Sequence, residues 1–179
     1  MQGLSGLIET TYCDGNVIVP SRGEADTLQQ KGYGTQRKKK PGIALLPYEA
    51  LYLLEQSKIR IVDKRTKVEL AFSELLGKYR AIDPNVWVRY LIYRDLRDRG
   101  YVAKEGLDFG VNFQVHERGE YGLRDTRYVV FGVSEGVQTP IDTLRNVLRS
   151  VQELKKELVL AVIDRRSEII YYSFSELDL

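Results

Sequence analysis

The stretch FQVHERGEYGLRDTRYVV, residues 113–130, holds the one histidine of the chain, His116, among acids and arginines. A free imidazole titrates near pH ~6.5, so His116 could act as a base at neutral pH. Acid–base chemistry also needs a group that still holds a proton to give. The neighbours offer none. An aspartate ionises near pH ~3.9, so Asp125 is expected as a carboxylate, which would repel a phosphate. Arg124 and Arg127 hold their protons too tightly to donate them. Glu117 and Glu120 would serve only if their surroundings kept them protonated, and the sequence argues for nothing of the kind. A metal-dependent nuclease is poorly served too. It wants a strand aspartate followed by an acidic residue, a spacer and a lysine, but after Asp108 residues 114–116 read QVH. The single cysteine, Cys13, excludes an internal disulfide and a cysteine-based zinc site, and reads as a buried, inert thiol. No metal or cofactor is expected.

A second kind of chemistry is carried by cations. In TPIDTLRNVLRSVQELKK, steps of ~100° per residue place Arg145, Arg149 and Lys156 on one stripe, which suits contact with phosphates. Glu153 and Glu157 nearby fit an ordinary solvated face as well. The run Arg37–Lys40 reads first as a solvated loop and, if functional, as a phosphate contact.

The elements that must position these groups follow from pattern. With 179 residues, 43% hydrophobic and 29% charged, the chain fits a globular protein of one large or two small domains. A net charge of +2 excludes a global cationic field. The N-terminal residues lack a signal-peptide pattern and no apolar run reaches the ~20 residues a membrane span needs, so a cytoplasmic location is expected. The pair Asp14-Gly15 splits two apolar runs into a hairpin. Ser21 caps a short helix ending at Gly32, YGTQRKKKPG is a loop, IALL a short apolar run, and Pro47 opens another helix. IRIVD and KVELA read as a second hairpin, FSELLGKYR as a helix, and Pro84 starts a longer one with apolar Val86, Tyr90, Leu91 and Tyr93. From Tyr101 the chain turns strand-rich. One helix interrupts it, with Thr139 as N-cap, Pro140 at its first position and Leu144, Val147, Leu148, Val151 and Leu154 as its apolar face. ELVLAVID is apolar on both parities and reads as a strand covered on both sides. The fold class is α/β (α+β): a small N-terminal α/β domain, residues 1–83, and a C-terminal mixed sheet with flanking helices, residues 84–179.

The segments FGVNFQVHERG, RDTRYVVFGV and LRSVQELKKELVLAVIDRRSEIIYYSF resemble the catalytic C-terminal domain of archaeal tRNA-intron splicing endonucleases. VIVPSRGEADTLQQKGYG and LLPYEALYLLEQSKIRIVD resemble the smaller domain of the same family. The resemblance implies metal-independent RNA cleavage at the bulges of a bulge–helix–bulge element, leaving 2′,3′-cyclic phosphate and 5′-hydroxyl ends. It implies a tyrosine base, a histidine acid and a stabilising lysine. Carried onto this chain, the tyrosine falls on His116, the histidine on Asp125 and the lysine on Lys156, so one of the three is retained. The cationic pair that clamps a bulge base falls on Arg149, a match, and on Tyr171, where an aromatic could stack on a base instead. Arg145 completes the expected RNA-binding set.

A broken triad in this fold resembles the structural subunit of a heterotetramer, whose partners are a catalytic tRNA-splicing endonuclease subunit and precursor tRNA. Pairing is expected along the C-terminal strand, with Ile169, Tyr171 and Phe174 alternating with Ile170, Tyr172 and Ser173, and through an acidic loop that here offers Glu135. Two other readings stay open. One is an active endonuclease using His116 and Lys156; the other is a stand-alone RNA-binding or scaffold protein.

Overall fold

The computed structural model describes residues 6–38, 40–106, 110 and 112–175. The chain divides between Tyr90 and Leu91 into two compact units.

In the first unit, β1 (Ile8–Cys13) and β2 (Asn16–Val19) form the expected hairpin. Asp14 at φ 51° and Gly15 at φ 82° supply the two positive angles of a tight turn, with Cys13 opposite Asn16. The turn leaves Cys13 half-buried, its thiol donating to the Asp14 carboxylate at 3.3 Å, and not fully enclosed as the sequence suggested. Helix α1 (Arg22–Gln30) follows Ser21 and ends before Gly32, whose φ of 82° any side chain would strain. Ser21 occupies the N-cap position, but its hydroxyl makes no capping bond. Within the basic loop a two-residue strand, β3 (Thr35–Gln36), pairs with β4 (Ile43–Leu45). Helices α2 (Pro47–Glu55) and α3 (Phe72–Arg80) fall where their sequence signals put them. Strand β5 (Ile59–Asp63) joins β1 in parallel and completes a sheet of order β3-β4-β2-β1-β5. The expected second hairpin is reduced to one bridge, Val62 to Glu69. The Asp63 carboxylate accepts the Arg65 and Thr66 N–H groups and turns the chain out of the ladder.

Helix α4 (Val86–Asp98) contains the division between the units, and its Val86, Tyr90, Leu91 and Tyr93 are all buried. The second unit continues with β6 (Val102–Glu105), β7 (Asn112–His116), β8 (Tyr128–Ser134), α5 (Ile141–Glu153), β9 (Glu157–Ile163) and β10 (Ile169–Phe174). The sheet order is β10-β9-β8-β7-β6, antiparallel except for β8 and β9, which run parallel. A parallel pair needs a long crossover, and α5 is that crossover. Its Val147, Leu148 and Val151 pack on Val129, Phe131 and Leu158, with Leu160 and Phe174 at the margin. Each fully buried side chain contributes roughly 1.5–3 kcal/mol. Leu154, expected on this face, is 47% exposed because it caps the helix C-terminus. At the other end Pro140, not Thr139, is the N-cap residue, with φ −57° and ψ 137°.

Among the described residues, no helix is long and apolar enough to cross a membrane.

Candidate functional site

Strand β7 runs against β8, and β8 runs with β9, so the end of β7 and the starts of β8 and β9 meet at one end of the sheet. Val115 lies opposite Tyr128, and Tyr128 opposite Glu157. Alternation along β7 puts Gln114 and His116 on one face. Lys156 reaches this place because the chain leaves α5 abruptly. Lys155 takes a left-handed φ of 55°, and the Lys156 N–H turns back to the Val151 carbonyl at 3.1 Å. Lys156 is therefore off the helix and off the predicted stripe with Arg145 and Arg149.

The Lys156 ammonium donates to Gln114 Oε1 at 2.8 Å and to the Thr126 hydroxyl. Thr126 in turn donates to Gln114 Oε1 at 3.1 Å. These three side chains tie β7, the β8 approach and the β9 start together. Arg127 and Glu157 flank them with an exposed ion pair at 2.7 Å. His116 sits beside the cluster with its ring against the edge of Tyr121, centroids 5.1 Å apart at 90°. Its Nδ1 is buried and makes no hydrogen bond. Burial is the main force holding the His116 pKa below the usual imidazole value, and the Lys156 and Lys104 charges add to it. The Arg124 backbone and the Asp125 charge pull the other way without prevailing. At neutral pH His116 is an uncharged imidazole.

The neighbour of Lys156 on the β8 side is thus Thr126, 8% exposed, and not Asp125. Asp125 is exposed and reaches the site only through its charge on His116. Thr126 and Gln114 are the residues that sequence reasoning missed. Thr126 lies in the segment before β8, where no strand alternation yet fixes which side chain turns inward. Asp108 lies outside the described residues.

Arg145 and Arg149 remain together on α5, both exposed, above a groove of about 210 Å³ that Ile141, Leu148, Gln152 and Phe174 also line. Arg145 lies 3.5 Å from Asp142, a weak exposed pair. Tyr171 is elsewhere. Its hydroxyl donates to Asp95 Oδ2 at 2.7 Å, and Arg99 lies over its ring at 5.4 Å. Burial and the Asp95 carboxylate push its pKa upward. With its ring covered and its hydroxyl bonded, Tyr171 serves the packing of α4 on β10. The alternation on β10 also differs from the sequence grouping. Phe174 shares a face with Ile170 and Tyr172 and packs toward α5, while Ser173 sides with Ile169 and Tyr171. Glu135 is exposed in the turn after β8, its N–H donating to the Ile163 carbonyl at 2.8 Å.

The profile of the tRNA intron endonuclease catalytic C-terminal domain matches residues 86–171, and that of the N-terminal domain matches residues 8–76. A tRNA-splicing endonuclease of Methanococcus vannielii is 32% identical over 172 residues, 96% of each chain. The chain belongs to the tRNA intron endonuclease family. Similar proteins of the same description occur in Thermococcus onnurineus, 35% identical over 69% of this chain and 70% of the relative, and in Pyrococcus furiosus, 32% identical over 79% of each.

In this member of the tRNA intron endonuclease family, the sheet end holds a neutral imidazole, a hydroxyl and an ammonium. An imidazole can accept a proton and an ammonium can face a developing negative charge. A threonine hydroxyl does not release its proton near neutral pH, so Thr126 is not suited to act as a general acid.

Proposed function

We propose that this chain is the structural subunit of a tRNA-splicing endonuclease. It assembles with a catalytic subunit into a heterotetramer that excises bulge–helix–bulge introns from precursor tRNA, leaving 2′,3′-cyclic phosphate and 5′-hydroxyl ends. The observation that carries this reading is Thr126 against Lys156: the ammonium donates to Gln114 and Thr126, and neither of these side chains releases a proton near neutral pH. The outer strand supports it. β10 pairs only with β9 among the described strands, and its Ile170 and Tyr172 are 55% and 52% exposed. An open edge carrying apolar side chains favours strand-to-strand assembly. Tyr171 and Phe174 then back this strand from within, while Ile169 and Glu135 remain candidates at its margin. Arg149 and Arg145 are the side chains best placed on α5 to meet RNA phosphates or bases.

A second reading is favoured by one observation. His116 is neutral and its Nδ1 unbonded beside Lys156, as a general base would be. The two readings part in a cleavage assay on a bulge–helix–bulge RNA, using this chain alone, the chain with a catalytic subunit, and the mixture with Lys156→Ala. The structural role expects no cut by the chain alone, cutting by the mixture and little effect of the substitution. A Lys156-dependent cut by the lone chain overturns it.

A further inference from the structure

The chain carries one run of four consecutive cations. Its formal charge is +2, yet the four consecutive residues Arg37–Lys40 are all cations, so the remainder is net acidic. Lys40 of that run borders a groove of about 260 Å³ in the first unit, between α1 and the β3–β4 hairpin. Arg22, Asp26, Gln29, Gln36, Lys40 and Gly42 are among its lining residues. Arg22 and Lys40 are exposed.

Arg37, Pro41 and Gly42 are held in place. Gly42 has φ 82°, and a Cβ there would lie 2.1 Å from the Val19 carbonyl oxygen. The Arg37 guanidinium donates to the Pro41 carbonyl at 3.0 Å. At the opposite wall, Arg22 occupies the first position of α1, where the helix dipole already favours an anion. Two glutamines add neutral polar groups, and Asp26 supplies the one opposing charge among the lining residues. Cations on both walls with amide side chains between them suit a chain of phosphodiesters.

We infer that this groove is an RNA-backbone site, separate from the Arg145–Arg149 groove, with Arg22 and Lys40 each neutralising a phosphate. The inference deepens the proposed function, since precursor tRNA is the RNA in question. It reads shape and charge and not sequence.

The test is binding by the full chain alone, which requires neither assembly nor cleavage. A fluorescein-labelled precursor tRNA transcript is titrated with wild type and with Arg22→Ala/Lys40→Ala across monovalent salt from 0.1 to 1 M. Loss of two phosphate contacts flattens the log Kd against log salt line by about 1.8, which separates the two proteins by roughly 60-fold across that range. Lys58→Ala/Arg65→Ala, which removes the same charge from the same unit away from the groove, leaves the slope within about 0.5 of wild type. Both groove residues are exposed, and unchanged thermal unfolding confirms that the variant is folded. A slope unchanged by the groove substitutions, or changed equally by the control pair, overturns the inference. Cutting by the lone chain would defeat the helper role and leave this result standing.

Discussion

Replacing Lys156 separates a structural lysine from a catalytic one. Lys156→Ala removes a cation that donates to Gln114 and Thr126. Hydrogen bonds from a charged donor contribute about 1.5–3 kcal/mol where buried. This site is only partly buried, and the Thr126–Gln114 bond survives the substitution, so neither partner is orphaned. The expected loss is therefore about 1–3 kcal/mol. In a chain of this size each kcal/mol moves Tm by roughly 2–4 °C, so scanning calorimetry at pH 7 should show a fall of about 2–12 °C. Cleavage by the variant mixed with a catalytic subunit, measured well below both transitions, should stay within about 2-fold of wild type. The reasoning is refuted by the reverse pattern: an unmoved Tm together with a rate loss of ~10²-fold or more, the size expected when a group acting in the chemistry is removed.

Further expectations follow from single features. His116 is the only histidine, so its Cε1 proton signal can be followed by NMR; its midpoint should fall below the usual imidazole value because burial disfavours the charged ring. The sign for stability follows: the unfolded chain binds the proton more readily, so His116 contributes rising stability as pH increases from the folded midpoint to ~6.5, and His116→Gln should remove that rise in urea-unfolding curves. Ile170→Lys with Tyr172→Lys should abolish co-purification with a catalytic subunit while leaving Tm within a few degrees, since both side chains are half-exposed; unchanged assembly would exclude this strand face from the interface. Phe174→Ala opens the margin of the α5 core and should cost about 2–3 kcal/mol in chemical unfolding, less than a fully buried phenylalanine. Gly42→Ala, forced onto the Val19 carbonyl, should yield a Tm drop larger than any of these.

Local signals were legible in the sequence wherever the chain decides its own conformation. Asp14-Gly15 dictates the tight turn through its positive φ angles, Pro47 opens α2, and Leu144, Val147, Leu148 and Val151 declare the packed side of α5 at the helical period. The family was legible too, because those signals recur in the expected order. Which side chains meet was not. Lys156 keeps helical spacing with Arg149 in sequence, but the left-handed turn at Lys155 swings it to the sheet end. Asp125 and Thr126 are adjacent in the chain, and only the packing of the β8 approach decides that the threonine turns inward while the aspartate faces water. In the sequence Tyr171 could stack on a base; only the fold brings Asp95 of α4, and Arg99 just after that helix, to its hydroxyl and ring. Turns and amphipathic periods arise from neighbours a few residues apart. The site arises from groups some thirty to forty residues apart, Gln114 with Lys156 and Thr126 with Lys156, and their meeting depends on sheet register and on how α5 ends.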